Sequence, residues 1–428
     1  MNKTAWARMR KHAAIPALGL GAALLLAIGA STYAMKDEAA FELNDLSGSR
    51  EAIADAVISG ELRDGYHSVH FHIENGKLRT ETEVFRQPEF TYPYHYVPGA
   101  DKRIDDTMFS VEGLGTFEIL SLKPKLYNIY YVPDGKAIVT PTIHYGKDEN
   151  GNIDLANPLE YGIAKNGDRV FFTVPVSSRS TGSSGIYELN FFHWADELFV
   201  NAQKQYPPRL IAELDLRANE SAEQPNIEVL GLEAVGDKLV LISAANGELV
   251  IRSFDSGSGA LLGEAALPNF QLQRPAAEAE RSDGAIAYSS SYEAFSDSKL
   301  GILNLSFRGS RSRQLMLSAD LADGVRIVNQ VEADRSEEES QHLIDERSAI
   351  RYLNGKLYVI RAYKEARSSD PNDVNEIARP HRFYLYVYDQ SKLAYKGELV
   401  TDQNDDYEDG TIADGDMRSR SYTNLAID

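Results

Sequence analysis

The chain lacks cysteine altogether and has only two tryptophans, Trp6 and Trp194. Without a thiol it forms no disulfide, holds no thiolate metal site and carries no lipid-modified N-terminal cysteine. It also lacks a phosphate loop ending in Gly-Lys-Ser/Thr, a His-Glu-x-x-His helix and a Gly-x-Ser-x-Gly elbow. These absences leave no recognisable motif for nucleotide binding, zinc-dependent proteolysis or serine hydrolysis.

Basic residues are scarce relative to acidic ones. The 428 residues include 44 Lys and Arg against 64 Asp and Glu, a formal net charge of −20. Phosphate binding depends on Lys and Arg, so no nucleic-acid partner is expected. An acidic surface is compatible with cationic ligands, with metal ions, or simply with solubility.

Long apolar runs are absent beyond the N-terminus, where Ala13 to Met35 carries no charge. A membrane span needs about 20 apolar residues, and basic flanks stay on the cytoplasmic side. The sequence therefore predicts a single-pass membrane protein whose C-terminal domain lies outside the cell. Cleavage of a signal peptide near residue 34, followed by secretion, is the alternative. The predicted segments are a cytoplasmic tail (1–12), a transmembrane helix or signal segment (13–35), a tether (36–60) and an extracytoplasmic domain (61–428).

Strand signals dominate after residue 60. Val69, Phe71 and Ile73 alternate with polar residues, which is the period of a half-buried strand. Asn75-Gly76 and Asn354-Gly355 precede short apolar runs, as in tight hairpins. Two stretches interrupt this pattern. Phe191 to Gln205 predicts a short helix, and the charged stretch Glu332 to Arg347 predicts a loop or surface helix.

Two segments match each other closely. Phe254-Asp255 is followed by Gly263-Glu264, and Tyr388-Asp389 is followed by Gly397-Glu398 at the same offsets. This pattern resembles the outer hairpin of a blade in exported β-propeller proteins of the WD40-like and quinoprotein-like kind. The resemblance implies an all-β fold, a degenerate β-propeller of six to eight blades after the N-terminal helix. Tandem β-sandwich domains are the alternative, because both folds contain many short strands and glycine-rich turns.

The sequence departs from that resemblance in two ways. Its turn glycines are unevenly spaced, whereas propeller blades repeat at roughly 40–50 residues. With only two tryptophans, it also lacks the one tryptophan per blade of the quinoproteins. A quinone cofactor is therefore not expected, and no cofactor is predicted apart from a possible Ca²⁺.

Two acidic loops are candidate calcium sites, because oxygen side chains at alternate positions can wrap one ion. The first contains Asp148, Asn150, Asn152 and Asp154, and the second contains Asp402, Asn404, Asp406 and Glu408. The first is also an ordinary hairpin turn, and the second is also explained as a solvated acidic loop.

Two further groups are candidate ligand sites. His70 and His72 lie on one strand face and form the most metal-like pair. Tyr92, Tyr94 and Tyr96 also share one face, where they could stack on sugars or peptides. The alternatives are solvent-facing histidines and packed tyrosines.

Function follows only by elimination. The sequence favours a non-catalytic, membrane-tethered protein that binds a protein or cell-envelope ligand, with a membrane protein or an envelope component as partner. The alternative is a carboxylate-dependent hydrolase acting on carbohydrate, which requires two paired acidic residues, one of them with a raised pKa.

Overall fold

The structure is a computed structural model of the whole chain. It describes residues 14–35, 41–87, 101–105, 107–125, 130–148, 150–193, 206–216, 227–273, 286–336, 343–365, 381–401 and 420–428.

One α-helix, α1 (Ala14–Met35), forms where the apolar run predicts it. Within the described part of the chain, no helix is long and apolar enough to cross a membrane. This finding overturns the predicted single-pass membrane protein.

The described residues form six sheets, numbered here by their order along the chain, and every strand pair but one is antiparallel. Sheet 1 contains β2 (Val57–Arg63), β3 (His67–Glu74), β4 (Lys77–Val84) and β28 (Ser421–Ile427). Sheet 2 contains β5 (Asp101–Ile104), β6 (Thr107–Glu112), β7 (Phe117–Lys125), β8 (Tyr130–Val139) and β13 (Phe192–His193). Sheet 3 contains β9 (Thr142–His144), β10 (Ile163–Asn166), β11 (Arg169–Phe172), β12 (Thr181–Glu188) and β14 (Arg209–Asp215).

The remaining three sheets follow the same plan. Sheet 4 contains β15 (Glu228–Val235), β16 (Lys238–Ala245), β17 (Glu248–Asp255) and β18 (Leu261–Pro268). Sheet 5 contains β19 (Gln271–Leu272), β20 (Ala287–Asp297), β21 (Ile302–Gly309), β22 (Arg313–Asp320) and β23 (Arg326–Asp334). Sheet 6 contains β24 (Leu343–Leu353), β25 (Lys356–Glu365), β26 (His381–Asp389), β27 (Lys392–Thr401) and the N-terminal strand β1 (Phe41–Gly48). Two 3₁₀ turns, Arg50–Ile53 and Leu159–Gly162, complete the described elements.

The sheets pack face to face in series. One apolar cluster joins sheets 2, 3 and 4, and separate clusters join sheets 4 and 5, sheets 5 and 6, and sheets 6 and 1. Leu239 to Ile242 are fully buried, because alternate residues of a strand face opposite sides and each side of sheet 4 meets another sheet. This curved series of antiparallel sheets is a propeller-like, all-β fold.

The two matched hairpins are confirmed. Phe254-Asp255 ends β17 and Tyr388-Asp389 ends β26, and each strand turns back into the next strand, β18 or β27. Asp255 holds its turn closed, because its carboxylate accepts the backbone N–H of Ser258 at 2.7 Å.

The Asn-Gly turns also form as predicted. Asn75 and Gly76 have φ values of 50° and 69°, and Asn354 and Gly355 have values of 52° and 82°. Both positions of such a turn need positive φ, which Asn and Gly adopt more readily than other residues.

Three predictions about connecting segments need correction. The proposed tether, 36–60, includes β1, which pairs with β27, and a 3₁₀ turn before β2. The charged stretch Glu332 to Arg347 includes the end of β23 and the start of β24. Phe191 to Gln205 includes the short strand β13, and its residues 194–205 lie outside the described residues.

Candidate functional site

The predicted calcium loop at Asp148 is a tight hairpin. The Asp148 carboxylate accepts the backbone N–H groups of Asn150 and Asn152 at 2.9 and 2.8 Å and the side-chain amide of Asn152 at 3.2 Å. These bonds, led by those from Asn152, hold the pKa of Asp148 below its usual range. Asp154 lies 3.7 Å from the guanidinium of Arg179. The carboxylate oxygens of Asp148 thus already accept hydrogen bonds within the hairpin. Calcium binding there stays a prediction.

His70 and His72 share the polar face of β3, as predicted. His70 Nδ1 lies 3.5 Å from Glu61, His70 Nε2 lies 3.7 Å from Glu83, and His72 Nε2 lies 3.9 Å from Glu74. Each imidazole therefore faces carboxylates and not the other histidine. Among the residues that the structure describes, no three His, Asp or Glu side chains are grouped closely enough to hold a metal ion.

The other predicted site residues lie outside the described residues. They are Tyr92, Tyr94 and Tyr96, and the acidic loop Asp402, Asn404, Asp406 and Glu408.

The space between sheets 5 and 6 holds a site that the sequence did not reveal. We call it the 5–6 cleft and define it by Glu293 and Arg308 from sheet 5 and Glu346, Ser348 and Arg361 from sheet 6. Its apolar end is the cluster that joins the two sheets, and its polar end contains these five residues.

Two carboxylates come together in the 5–6 cleft from neighbouring strands. Glu293 lies on β20 and Glu346 on β24, and these strands contact each other. The register between β24 and β25 shifts between Ile344 and Arg347. Such a bulge re-aims the side chain that it contains, and bulges are common beside functional sites. Here the irregular stretch consists of Asp345 and Glu346.

The two carboxylates have opposite electrostatic environments. Burial, reinforced by the nearby charge of Glu346, raises the pKa of Glu293, although Arg308, Arg361 and a hydrogen bond with Ser348 oppose the shift. Burial also tends to raise the pKa of Glu346, but the guanidinium groups of Arg361 and Arg308 outweigh it and lower that pKa. Glu346 is thus held as an anion, while Glu293 tends to keep its proton.

Both arginines bind Glu346 directly, but they differ in exposure. Arg361 contacts one carboxylate oxygen and is buried, with 7% of its side chain exposed. Arg308 contacts the other oxygen and is 70% exposed. The buried pair fixes the position of Glu346, and the exposed guanidinium lies at the solvent side of the cleft.

A row of tyrosines lines the sheet 6 side of the cleft. Tyr384, Tyr386 and Tyr388 alternate along β26, with ring centroids 6.2 and 6.5 Å apart. Arg335 from sheet 5 lies 4.2 Å above the Tyr386 ring, and Lys396 lies 5.3 Å from the Tyr384 ring. Tyr386 and Tyr388 are buried and Tyr384 is partly exposed, so Tyr384 is the ring of this row best placed to contact a ligand.

The opposite face of β20 carries a separate polar group. The Tyr292 hydroxyl donates to Glu233 of β15 at 3.1 Å, and Lys102 of β5 lies 3.5 Å from the same oxygen. Lys102 also donates to the carbonyl of Ile163 on β10 at 2.7 Å. These bonds tie β5, β10, β15 and β20 of sheets 2, 3, 4 and 5 together, and they explain this group as structural.

Comparison with known proteins does not assign a family. No family model matches the chain, and no curated protein matches it. Among solved structures, a Bacteroides fragilis protein provisionally described as a 6-phosphogluconolactonase is similar at 8% identity, covering 79% of this chain and 93% of its own, with a TM-score of 0.33. The periplasmic gluconolactonase of Pseudomonas aeruginosa is similar at 10% identity, covering 81% and 99%, with a TM-score of 0.31. A prolyl endopeptidase is similar at 11% identity, covering 81% and 48%, with a TM-score of 0.31. Likenesses this distant assign no function.

Proposed function

We propose that this protein is a carboxylate-dependent hydrolase acting on carbohydrate, with its active site in the 5–6 cleft. The observation that carries the proposal is the pair Glu293 and Glu346, which meet from adjacent strands with pKa values shifted in opposite directions. Pairs of carboxylates separated in this way commonly divide the acid and anionic roles of hydrolysis between them.

The proposed roles follow from the protonation states. Glu293, whose pKa is raised, donates its proton to the leaving oxygen as the bond to that oxygen breaks, and a water molecule then bonds to the sugar carbon and returns a proton to Glu293. Glu346, held between its two arginines, is the anion, and its charge adds to the burial that raises the pKa of Glu293. Tyr384, partly exposed beside the cleft, supplies an aromatic surface against which a sugar ring can pack.

Substitution of Glu293 tests the proposal. Full-length protein is assayed on a panel of aryl glycosides and sugar lactones, and Glu293→Gln is compared with the wild type. General acid catalysis typically contributes about 100- to 10,000-fold, so we expect a loss of kcat in that range.

The matched control is Glu233→Gln. Glu233 is also a partly buried glutamate. It lies on β15, beside the face of β20 that points away from the 5–6 cleft, and there it accepts a hydrogen bond from Tyr292. We expect its variant to keep wild-type kcat. Equal activity of Glu293→Gln and the wild type, or equal losses in both variants, would contradict the proposed role of Glu293.

A non-catalytic protein that binds a protein or cell-envelope ligand is the second candidate. The observation that favours it is the engagement of Glu346 by two arginines, since such a network can hold a ligand without turning it over. A wild-type protein that hydrolyses nothing in the panel but retains a ligand in a binding assay would support this candidate over the hydrolase.

We also propose that each of the six sheets is one blade of a six-bladed propeller. The first strand β2 of sheet 1 pairs with the C-terminal strand β28, which is a way to join the two ends of a ring. The contacts β10–β15, β15–β20, β20–β24 and β24–β28 support a common central axis. An experimental structure with a different number of radial sheets would contradict this blade count.

A further inference from the structure

A row of buried polar side chains crosses the face of sheet 5 that lies against sheet 6. It consists of Ser306 on β21, Gln314 on β22 and Arg335, which follows β23, and all three are buried. Met316, opposite Ser306 in the strand pairing, belongs to the apolar cluster that joins the two sheets. The other face of β21 and β22 is apolar and packs against sheet 4. A buried polar group is stable only when it is hydrogen-bonded, so the bonds within the row decide what it does.

The hydrogen bonds of this row have a defined direction. Arg335 Nε donates to Gln314 Oε1 at 2.9 Å, and Gln314 Nε2 donates to Ser306 Oγ at 2.8 Å. A guanidinium has donors only, so the side-chain oxygen of Gln314 must face Arg335 and its NH2 group must face Ser306. The Ser306 oxygen is therefore an acceptor, and its own proton remains available to a further acceptor.

Glu293 is the titratable group that Ser306 faces. It lies directly opposite Ser306 in the pairing of β20 with β21, so the two side chains share one face, and Cβ atoms in such pairs are about 4.5–5.5 Å apart. The charged groups that act on Glu293 are Arg308 of β21, Glu346 of β24 and Arg361 of β25. The polar row adds to these a neutral hydroxyl donor, which is polarised by the hydrogen bonds behind it.

We propose that Ser306 is a positioning residue that donates a hydrogen bond to the Glu293 carboxylate once that group has lost its proton, and that Gln314 holds Ser306 in the orientation for this bond. The inference rests on the proposed function for the catalytic role of Glu293 and goes beyond it by naming the residues that act through Glu293. The serine keeps its own proton throughout, and the proton of Glu293 goes to the leaving oxygen.

Such a bond has a consequence for the titration of Glu293. It favours the charged form, so it lowers the pKa of that carboxyl against the burial that raises it. Hydrogen bonds to charged groups are among the stronger ones, and loss of this bond should raise the pKa of Glu293 by about one pH unit. A group with a raised pKa costs stability as pH rises from its ordinary value to the raised one. A further increase in the pKa of Glu293 therefore extends that loss to higher pH.

Urea unfolding of the full chain across pH measures this shift without requiring turnover. The contribution of Glu293 is the difference between each protein and the same protein carrying Glu293→Gln. We expect the decline in this contribution to extend about one pH unit higher in Ser306→Ala than in the wild type. Gln314→Met, which removes the donor to Ser306, should extend it in the same direction by a smaller amount, and it decides the question alone if Ser306→Ala does not fold.

The matched control is Ser318→Ala. Ser318 is also a buried serine on this face of sheet 5, but it lies opposite Asn304 and donates to Asn304 Oδ1 at 2.8 Å. Its removal costs one buried hydroxyl hydrogen bond, as the removal of Ser306 does. We expect it to lower stability by the same amount at every pH and to leave the contribution of Glu293 unchanged.

The inference would be overturned if the contribution of Glu293 covered the same pH range in the wild type and in Ser306→Ala, or in Gln314→Met where that variant replaces it. An equal extension in Ser318→Ala would also overturn it.

Failure of the hydrolase proposal is recognised separately. If the wild type hydrolyses a substrate of the panel, the alkaline limb of its kcat/KM profile should move up by about one pH unit in Ser306→Ala, because the acid keeps its proton to higher pH. If the wild type hydrolyses nothing, the proposed function fails, while the unfolding profiles still decide whether Ser306 donates to Glu293.

Discussion

Sheet 1 and the 5–6 cleft both bury carboxylates, but they use them differently. In sheet 1, Glu61 is 3% exposed and accepts hydrogen bonds from Ser68, Thr423 and Asn424 at 2.6, 2.9 and 2.6 Å. In the cleft, Glu293 has a carboxylate neighbour and a raised pKa. Glu61 is thus fully engaged in holding strands together, whereas Glu293 holds its proton more tightly than an ordinary glutamate does.

Asp64 follows the pattern of Glu61. It accepts hydrogen bonds from the backbone N–H groups of Tyr66 and His67 at 2.7 and 2.9 Å. It also lies 2.9 Å from the His67 imidazole and accepts a hydrogen bond from the Arg420 guanidinium at 3.2 Å. Arg420 directly precedes the C-terminal strand β28. The sheet 1 carboxylates therefore hold β28 and the β2–β3 turn in place, which distinguishes them from Glu293, the residue to which we assign a catalytic role.

The largest stability change is expected for Glu346→Ala. It removes a carboxylate that the buried guanidinium of Arg361 contacts, and removal of one member of a buried ion pair typically costs about 3–5 kcal/mol. Urea unfolding measures the loss. The control is Glu264→Ala, which breaks an exposed contact with Arg252 and should cost no more than about 1 kcal/mol. A similar small cost for both would show that Glu346 is not structurally fixed.

Glu61→Ala is expected to have the next largest effect. It leaves Ser68, Thr423 and Asn424 without their shared acceptor. Of these donors only Ser68 is buried, and an unsatisfied buried donor costs about 1–3 kcal/mol. We expect a total loss of about 2–3 kcal/mol in urea unfolding, with normal turnover per folded molecule. Glu83→Ala, at an exposed position of the same sheet, is the control. A selective loss of turnover in Glu61→Ala would mean that sheet 1 belongs to the active site.

The two regions are also expected to respond to pH in opposite directions. Burial alone would raise the pKa of Glu61 and Asp64, but their hydrogen bonds, led by those from Ser68 and His67, lower both. Their stabilising contribution is present above the ordinary carboxyl pKa and is lost as pH falls through the lowered values. The raised pKa of Glu293 has the opposite sign: stability is greatest below the ordinary glutamate pKa and falls as pH rises towards the raised value.

Glu293→Gln isolates the second of these effects. The substitution replaces a carboxyl group with a neutral amide of the same shape, so we expect the free energy of unfolding to change little below the ordinary glutamate pKa. As pH rises above that value the variant should lose less stability than the wild type, whereas Glu61→Ala should mainly alter the acidic side of the profile. Unfolding curves on both sides of the ordinary glutamate pKa measure both, and parallel profiles for wild type and Glu293→Gln would contradict the raised pKa.

Much of the fold is predictable from local sequence. The alternation at Val69 to Ile73, the Asn-Gly turns and the paired hairpins at Phe254 and Tyr388 all depend on interactions between residues close in the chain. The N-terminal helix α1 forms where the sequence predicts it, but the prediction that it crosses a membrane is wrong. The end of β23 and the start of β24 lie in the charged stretch from Glu332 and were not predicted as strand. A strand at the polar end of a cleft lacks the apolar alternation that marks other strands.

The candidate site is harder to predict, because it depends on which strands become neighbours. Glu293 and Glu346 lie in different sheets, and nothing between them in the sequence indicates that β20 and β24 will touch. Tyr384, Tyr386 and Tyr388 show the same alternation as Tyr92, Tyr94 and Tyr96. Sequence periodicity gives the shared face of such a row, but not what that face meets.

The smallest change in stability is expected in the hairpin at Asp148. Like Glu61, Asp148 accepts hydrogen bonds from nearby groups, but its carboxylate is exposed. Asp148→Ala removes the acceptor of Asn150 and Asn152, so we expect a slightly lower Tm, by the same amount in calcium and in chelator. Thermal melts of wild type and variant in both conditions measure this. An ion bound in the native state raises stability by mass action. A wild-type Tm that rises with calcium, together with loss of that rise in Asp148→Ala, would therefore confirm the calcium site. It would also show that the ion replaces the hydrogen bonds of the hairpin.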